Sequence, residues 1–550
     1  MSSHSWSGVR ARFGVGSFLE WSGGAGVVRR LAAALTVVML APALAEALPA
    51  QEGGYDLLIE GGRVLDGSGN PAYDADVGIR DDEIVAVGDL NDADADRVID
   101  ATGLLVAPGF IDIHSHSDRA LASEHEQARQ ARSLVSQGLT TVVGAPDGSN
   151  REWPLSEEVA RYQEQGIGMN VVLMAGFNTL RAEVLGEDAE DYEHVATDRE
   201  VQRMREELRD AMEYGAWGLG AGLEYRPARF SSPEEVVRVA EVVADYDGFY
   251  IAHQRSEAAM PLWQLPSTNE GWAVDGLQGL EETINIARET GIRVVATHHK
   301  SRGRSAFGRS AYDTVLVNRA RQEEDLDVYL DVYPYETFGG GARPMIPRWS
   351  LIDDTVENDG GRDDPGYGRD GIFDNARENL SRRWENPETR ETIERDIEWI
   401  VDHNGGPGRV VVIDYPVESW EGKTLEELAA EQDRTYQEVV VHMALNGFED
   451  VTGGAWIRGY GIHDVDVETY YRQDYTATGS DAGVNAVKGV EEMQCEPGDH
   501  PRHFGAFTRR IAKYVKQEKT TSLSHAIRSM TGLPAQIIGL EDRGHVEEGN

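Results

Sequence analysis

Residues 104–116 read Leu104-Leu-Val-Ala-Pro-Gly-Phe-Ile-Asp-Ile-His-Ser-His116. An apolar, strand-like run ends in two histidines two positions apart. In an extended chain that spacing puts both side chains on one face. A His-x-His pair alone is a weak signal, so its meaning depends on what surrounds it. Downstream, apolar strand-like runs recur at Thr140–Val143, Asn170–Met174, Ala216–Leu219, Phe249–Ala252, Val294–Thr297, Val328–Val332 and Tyr475–Thr478. Amphipathic helical patterns separate most of them, as at Thr197–Tyr214, Ser232–Asp245 and Leu277–Thr290. Strands alternating with such helices predict a parallel sheet, and eight βα units is the count that closes a barrel.

Upstream the pattern differs. Tyr55–Glu60, Gly62–Leu65, Ala75–Ile79 and Ile84–Val87 are short β-type runs between Gly, Asn and Asp turns, and predict a small antiparallel unit. The expected architecture is therefore α/β: a (β/α)8 TIM-type barrel over residues 104–539 and a small β-sandwich-like domain from 51–103 joined by 540–550. The stretch 336–474, between the seventh and eighth strands, is read as an insertion that forms a lid. It carries a possible extra strand at Arg409–Ile413 and a polar piece from Asp353 to Asp370.

Residues 1–50 read as an N-terminal extension and signal peptide. Arg29-Arg30 precedes the apolar run Leu31–Ala41, and small residues at Ala43 and Ala45 suit a cleavage site. That run falls short of the ~20 residues that span a bilayer, so the expectation is an exported protein, periplasmic or secreted, without a stable membrane anchor. Lys and Arg number 52 against 96 Asp and Glu, a net charge of −44, which opposes binding to nucleic-acid phosphates or anionic membranes. The single cysteine, Cys495, rules out an intramolecular disulfide and a cysteine-built zinc site.

Three more residues stand where His114 and His116 stand, at the C-terminal ends of predicted barrel strands. His253 closes Tyr250-Ile-Ala-His253, His298 closes Val294-Val-Ala-Thr-His298, and Asp481 follows Thr478-Gly-Ser-Asp481. Barrel enzymes keep their chemistry at that end. A packed core does not gather four imidazoles and a carboxylate, because buried unpaired polar groups are costly. The donor set suits Zn²⁺, or another divalent transition metal such as Mn²⁺, Fe²⁺ or Co²⁺. A metal there would bring the pKa of its water towards ~7, making hydroxide available at neutral pH. Asp481 is placed to take the proton and pass it to a leaving nitrogen.

With these residues in view the sequence resembles the amidohydrolase superfamily, through Gly61-Gly-Arg-Val-Leu-Asp-Gly67, Ala107–His116 and Gly479-Ser-Asp481. Finer motifs resemble its N-acyl-D-amino-acid deacylase (D-aminoacylase) branch: Gln137–Val143, Gly215–Tyr225, His298-His-Lys300, Asp331-Val-Tyr-Pro-Tyr335 and Met530–Gln536. The resemblance spans about residues 55–550, with its motifs in family order. It implies His114, His116, His253 and His298 as metal ligands, Asp481 as ligand and general base, and Lys300 and Tyr333 as substrate contacts. Arg255, two residues past His253, is a further candidate for a substrate carboxylate.

Two positions depart from the branch. Asp147, in Gly144-Ala-Pro-Asp-Gly148, falls where the branch carries a metal-binding cysteine; it reads equally as a sixth ligand or as a turn residue. Phe177 stands where histidine is common. Related chains also continue past Gly549 with strands that complete the β unit, so this chain is either a fragment or has that unit closed by its N-terminal strands alone. The resemblance implies one or two metal ions and hydrolysis of linear C–N amide bonds in N-acyl-D-amino acids or D-amino-acid-containing peptides, small molecules in either case. The rivals are a cyclic-amide hydrolase of the dihydroorotase or hydantoinase kind and a non-catalytic metal- or ligand-binding barrel. The cyclic-amide enzymes use a lysine on the fourth strand, where this chain reads Ala216-Trp-Gly-Leu-Gly220, and the non-catalytic reading predicts a missing ligand or base.

Overall fold

A computed structural model describes residues 54–550 except 262, 268–273, 339–344, 354–374, 450, 491–492 and 495–498. Residues 1–50, expected to carry an export signal, most of the acidic piece 353–370 and Cys495 lie outside the described residues.

The fold is α/β. Eight parallel strands form its centre: β1 Phe110–Asp112, β2 Leu139–Gly144, β3 Asn170–Leu173, β4 Gly218–Gly222, β5 Phe249–His253, β6 Arg293–Ala296, β7 Val328–Val332 and β8 Thr476–Thr478. One sheet runs β1-β2-β3. A second begins at Ala175–Gly176, just past β3, and continues β4-β5-β6-β7-β8, every pairing parallel. A parallel bridge between Ser115 and Ala482 joins the chain after β1 to the chain after β8. Strands β4, β5 and β7 are buried at every position, which is why they show no regular alternation of apolar and polar residues.

Helices between the strands follow from local signals. Asp198–Tyr214 starts at a capping box, in which Thr197 and Glu200 satisfy each other's backbone amides. It buries Val201, Met204, Leu208, Ala211 and Met212, a stripe at helical spacing. Pro233–Ala244 starts on Ser232 with proline in its first turn, and Gly276–Thr290 on an Asp275–Gln278 capping box.

The structure corrects two expectations. Residues 104–113 do not form one strand. Leu105–Val106 pairs in parallel with Arg63–Val64 in a small outer sheet, and β1 starts only at Phe110. Pro108, which lacks an N–H for a ladder, separates them. Nor is the small β unit purely antiparallel. Tyr55–Glu60 pairs antiparallel with Asp76–Arg80 but parallel with Ala95–Asp100, a strand that the sequence reading missed. Ala95–Asp100 is mostly exposed and carries no alternating apolar pattern to betray it. Near the end of the chain, Val546 donates to the Asp66 carbonyl and Gly549 to that of Ile84.

Residues 376–459 hold four helices, Ala376–Glu385, Pro387–His403, Leu425–Gln432 and Tyr436–Asn446, beside an antiparallel pair, Val410–Asp414 with Trp456–Gly459. They share an apolar cluster that includes Ile393, Ile397, Val412, Leu428 and Val439 and also takes in Leu265 and Met345. Among the described residues no helix is long and apolar enough to cross a membrane.

Candidate metal centre

The five residues singled out at strand ends come together. His114 and His116 follow β1, His253 ends β5, His298 lies two residues past β6 and Asp481 three past β8. Asp147, three residues past β2, joins them. Its carboxylate lies 3.6 Å from His114 Nε2 and 3.6 Å from His298 Nε2 through Oδ1, and 3.4 Å from His116 Nε2 through Oδ2. Asp481 Oδ1 stands 3.0 Å from His116 Nε2 and 3.6 Å from His114 Nε2. His253 Nδ1 faces His298 Nε2 at 2.9 Å. Asp147 does sit in a turn, with the Gly148 amide donating to the Ala145 carbonyl at 3.1 Å, and its side chain enters the cluster nonetheless. Glycines in β4 allow that approach: a Cβ at Gly220 would come within 2.3 Å of the Ala145 carbonyl oxygen, and one at Gly222 within 2.4 Å of that of Asp147.

Two of these residues adopt left-handed backbone, His298 at φ 34° and Asp481 at φ 53°. Such strain costs on the order of 1–3 kcal/mol and persists only where neighbours hold it. Buried carboxylates do so here. Asp331 on β7 accepts the His298 amide at 2.9 Å, and Asp112 on β1 accepts the Ser480 amide at 2.9 Å, next to Asp481. Burial pushes the Asp331 carboxyl up to about 6 and that of Asp112 up to about 7, so Asp331 remains largely ionised at neutral pH.

The outward ring nitrogens of the buried histidines are also held. Glu224 lies 2.8 Å from His253 Nε2, Glu257 lies 2.9 Å from His298 Nδ1, and Thr297 Oγ1 lies 2.5 Å from His114 Nδ1. Ligand histidines are fixed in this way, with the far nitrogen oriented by a second group. Burial drives His114 well below the usual imidazole range, leaving the neutral ring that a metal needs. Burial raises the Asp481 carboxyl, but the Arg502 guanidinium paired with it holds it well below the usual carboxylate range. Burial and Lys300 push His298 down, yet Glu257 and Asp147 more than offset them and carry it up to about 10. The carboxylates thus retain a positive charge at the place where a cation would sit.

Those features test whether a metal suits the residues, and it does. Asp147 Oδ1 is buried without a hydrogen-bond partner among the described residues, while two imidazole nitrogens stand 3.6 Å away. An orphaned buried oxygen costs ~1–3 kcal/mol, which a bound cation would recover. Three groups have donor atoms close enough to share an ion: His114–Asp147–His298, His114–His116–Asp481 and His253–Glu257–His298.

Lys300 pairs with Glu257, and its Nζ lies 2.8 Å from His298 Nδ1. Tyr333 is buried between Lys300 and Arg502, whose charged ends lie 5.6 Å from its ring, and its hydroxyl has no hydrogen-bond partner among the described residues. Arg255 is held elsewhere: it is buried and paired with Glu282 at 2.8 Å, so its charge is already matched away from the histidines. Phe177 begins a helix and is wholly buried in the main apolar core. Sequence reasoning missed Glu224, Glu257 and Arg502. Glu257 lies four residues past His253, but no motif separates it from the many other acidic residues.

The amidohydrolase family model (Amidohydro_3) matches residues 97–254. A D-aminoacylase from Alcaligenes xylosoxydans xylosoxydans is 29% identical over 517 residues, covering 90% of this chain and 86% of that protein. This chain is similar to the D-aminoacylases over nine-tenths of its length. An N-acyl-D-glutamate deacylase from the same organism is likewise 29% identical, over 521 residues, 90% of this chain and 85% of that one. Among solved structures, a D-aminoacylase described with a binuclear metal center aligns at a TM-score of 0.61 and 28% identity. An N-acyl-D-glutamate deacylase from Bordetella bronchiseptica, complexed with zinc and a phosphonate mimic of the tetrahedral intermediate, aligns at 0.63 and 25%. Each covers 90% of this chain and 88% of its own. The amidohydrolase match ends at Gln254, so it takes in His114, His116, Asp147 and His253, while the longer alignments extend over nine-tenths of the chain.

Proposed function

We propose that this chain is a metal-dependent hydrolase of linear C–N amide bonds that deacylates N-acyl-D-amino acids or D-amino-acid-containing peptides. The observation that carries it is the convergence of four imidazoles and two carboxylates at the C-terminal ends of parallel strands. We take the eight strands to close as a (β/α)8 barrel, residues 336–474 to form a lid beside its mouth, and 51–103 with 540–550 to form the companion β domain.

His114, His116, His253, His298, Asp147 and Asp481 would hold one or two zinc ions. Zinc there supplies Lewis acidity towards an amide carbonyl and lowers the pKa of a water. The remaining work falls to side chains. Asp481 is kept ionised by Arg502 and is free to take a proton from the attacking water and return it to the leaving nitrogen. Lys300, although paired with Glu257, lies beside His298 and is taken as the cation for the substrate carboxylate, and the Tyr333 hydroxyl, lacking a partner of its own among the described residues, as a hydrogen-bond donor. β4 carries Gly218-Leu-Gly-Ala-Gly222 and no lysine, which disfavours a cyclic-amide hydrolase.

A panel of N-acyl-D- and N-acyl-L-amino acids, dipeptides and hydantoins tests the proposal. Hydrolysis of the N-acyl-D compounds, with their L counterparts much slower, is expected; turnover of cyclic amides alone would overturn it. We further propose export, supported by Arg29-Arg30 and the apolar run to Ala41. Sequencing the N-terminus of the protein from its native host should find a start near Ala45–Ala50, and recovery from the cytoplasm with Met1 intact would refute it.

A further inference from the structure

The hydroxyl of Thr297 stands between the His114 ring and the Asp331 carboxylate, and all three residues are buried. Thr297 Oγ1 donates to Asp331 Oδ2 and lies 2.5 Å from His114 Nδ1. A threonine has one hydroxyl proton, and the carboxylate, which can only accept, takes it. Oγ1 must then accept from His114, which requires the proton on Nδ1. A neutral imidazole carries a single N–H, so Nε2 is left bare. Nε2 is the atom that faces His116 Nε2 at 3.4 Å and both Asp147 and Asp481 at 3.6 Å.

We propose that Asp331, acting through Thr297, fixes the tautomer of His114 and so makes its Nε2 available to a metal. Asp331 is a positioning residue reaching the centre from β7. The proposal rests on reading the cluster as a metal centre. Around Asp331 the space is fitted to this arrangement: a Cβ on Gly479 would come within 2.5 Å of Asp331 Oδ1 and 3.4 Å of His114 Cβ. His253 has the Glu224 carboxylate directly on its outward nitrogen, where the acceptor has no proton to return to the ring. At His114 the intervening hydroxyl can point either way, so the direction of the relay depends on Asp331.

Asp331→Asn reverses it. Oδ1 must go on accepting the His298 amide, which leaves the new NH₂ facing Thr297. The NH₂ donates to Oγ1, the hydroxyl proton turns to His114 Nδ1, and the ring proton moves to Nε2, where it opposes a cation. The test uses the full chain, first without metal. In protein with ¹⁵N-labelled histidine, the His114 resonances, assigned by their loss in His114→Gln, should report Nδ1–H in the wild type and Nε2–H in Asp331→Asn. Zn²⁺ affinity, measured by competition with a chromophoric chelator, should fall ~10–100-fold in Asp331→Asn. Adding Thr297→Val to that variant should weaken it no further. An Nε2–H wild type, or losses that add in the double variant, would overturn the proposal. Should Asp331→Asn fail to fold, Thr297→Ser should keep wild-type affinity and Thr297→Val lose it, and equal affinities would be fatal. The tautomer is read without metal or substrate, so a wild type that binds no zinc or hydrolyses no amide would refute the functional reading and leave this result standing on its own.

Discussion

Asp481→Asn is expected to lower turnover by about 10²–10⁴-fold while most of the bound metal remains, because general acid–base catalysis is worth about that much. The amide keeps the shape of the side chain and an oxygen that can still face His116, but it can neither accept the proton of the attacking water nor carry it to the leaving nitrogen. Metal retention follows from the geometry. Asp147, His114 and His298 form a group of donors that does not need Asp481. Arg502 loses its anionic partner in the variant, so some rise in KM is also expected. Turnover on an N-acyl-D-amino acid and metal content by elemental analysis should be measured on the same preparation. Unchanged turnover would remove Asp481 as the base, and loss of metal in step with activity would reduce it to a ligand.

Asp147→Ala is expected to bring metal content below roughly half an equivalent per chain under conditions that saturate the wild type, whereas Asp147→Cys should retain metal, since thiolate is also a zinc ligand. Asp147 is the carboxylate shared by three histidines, His114, His116 and His298, and its removal leaves Asp481 against the first two and no carboxylate on the Nε2 of His298. A stability readout accompanies the metal count. A ligand at 1,000 times its Kd stabilises the folded state by ~4 kcal/mol, so chelating the wild type should lower Tm by several degrees. In Asp147→Ala the chelator should change Tm little. Full metal content in the alanine variant would return Asp147 to being a turn residue and place the metal on the histidines and Asp481 alone.

The site was legible to the extent that it depends on local order. His114 and His116 lie just past β1 and flank Ser115, which still bridges in parallel to Ala482, so the period of two carries over to them. His253 takes its place because it ends an apolar strand. Reading either from the sequence needs no knowledge of neighbours. Arg255 shows the limit of that logic. Two residues from His253, it ought to point the same way, but the chain leaves β5 at His253, and a carboxylate on the helix Gly276–Thr290 takes the guanidinium instead. Asp147 was ambiguous because a Pro-Asp-Gly turn and a ligand look alike in one dimension.

Chain order alone therefore established the alternation of strands and helices, the residues at the strand ends and the kind of metal they suit. Tertiary structure decided which atoms meet. Thr297 and His114 are 183 residues apart, and Arg502 lies 21 residues beyond Asp481, in a helix that no motif marks. Such partners are selected by the closeness of strands and loops in space. A hydroxyl or a guanidinium has no periodicity to announce it, and its role exists only once burial has excluded water as the competing partner.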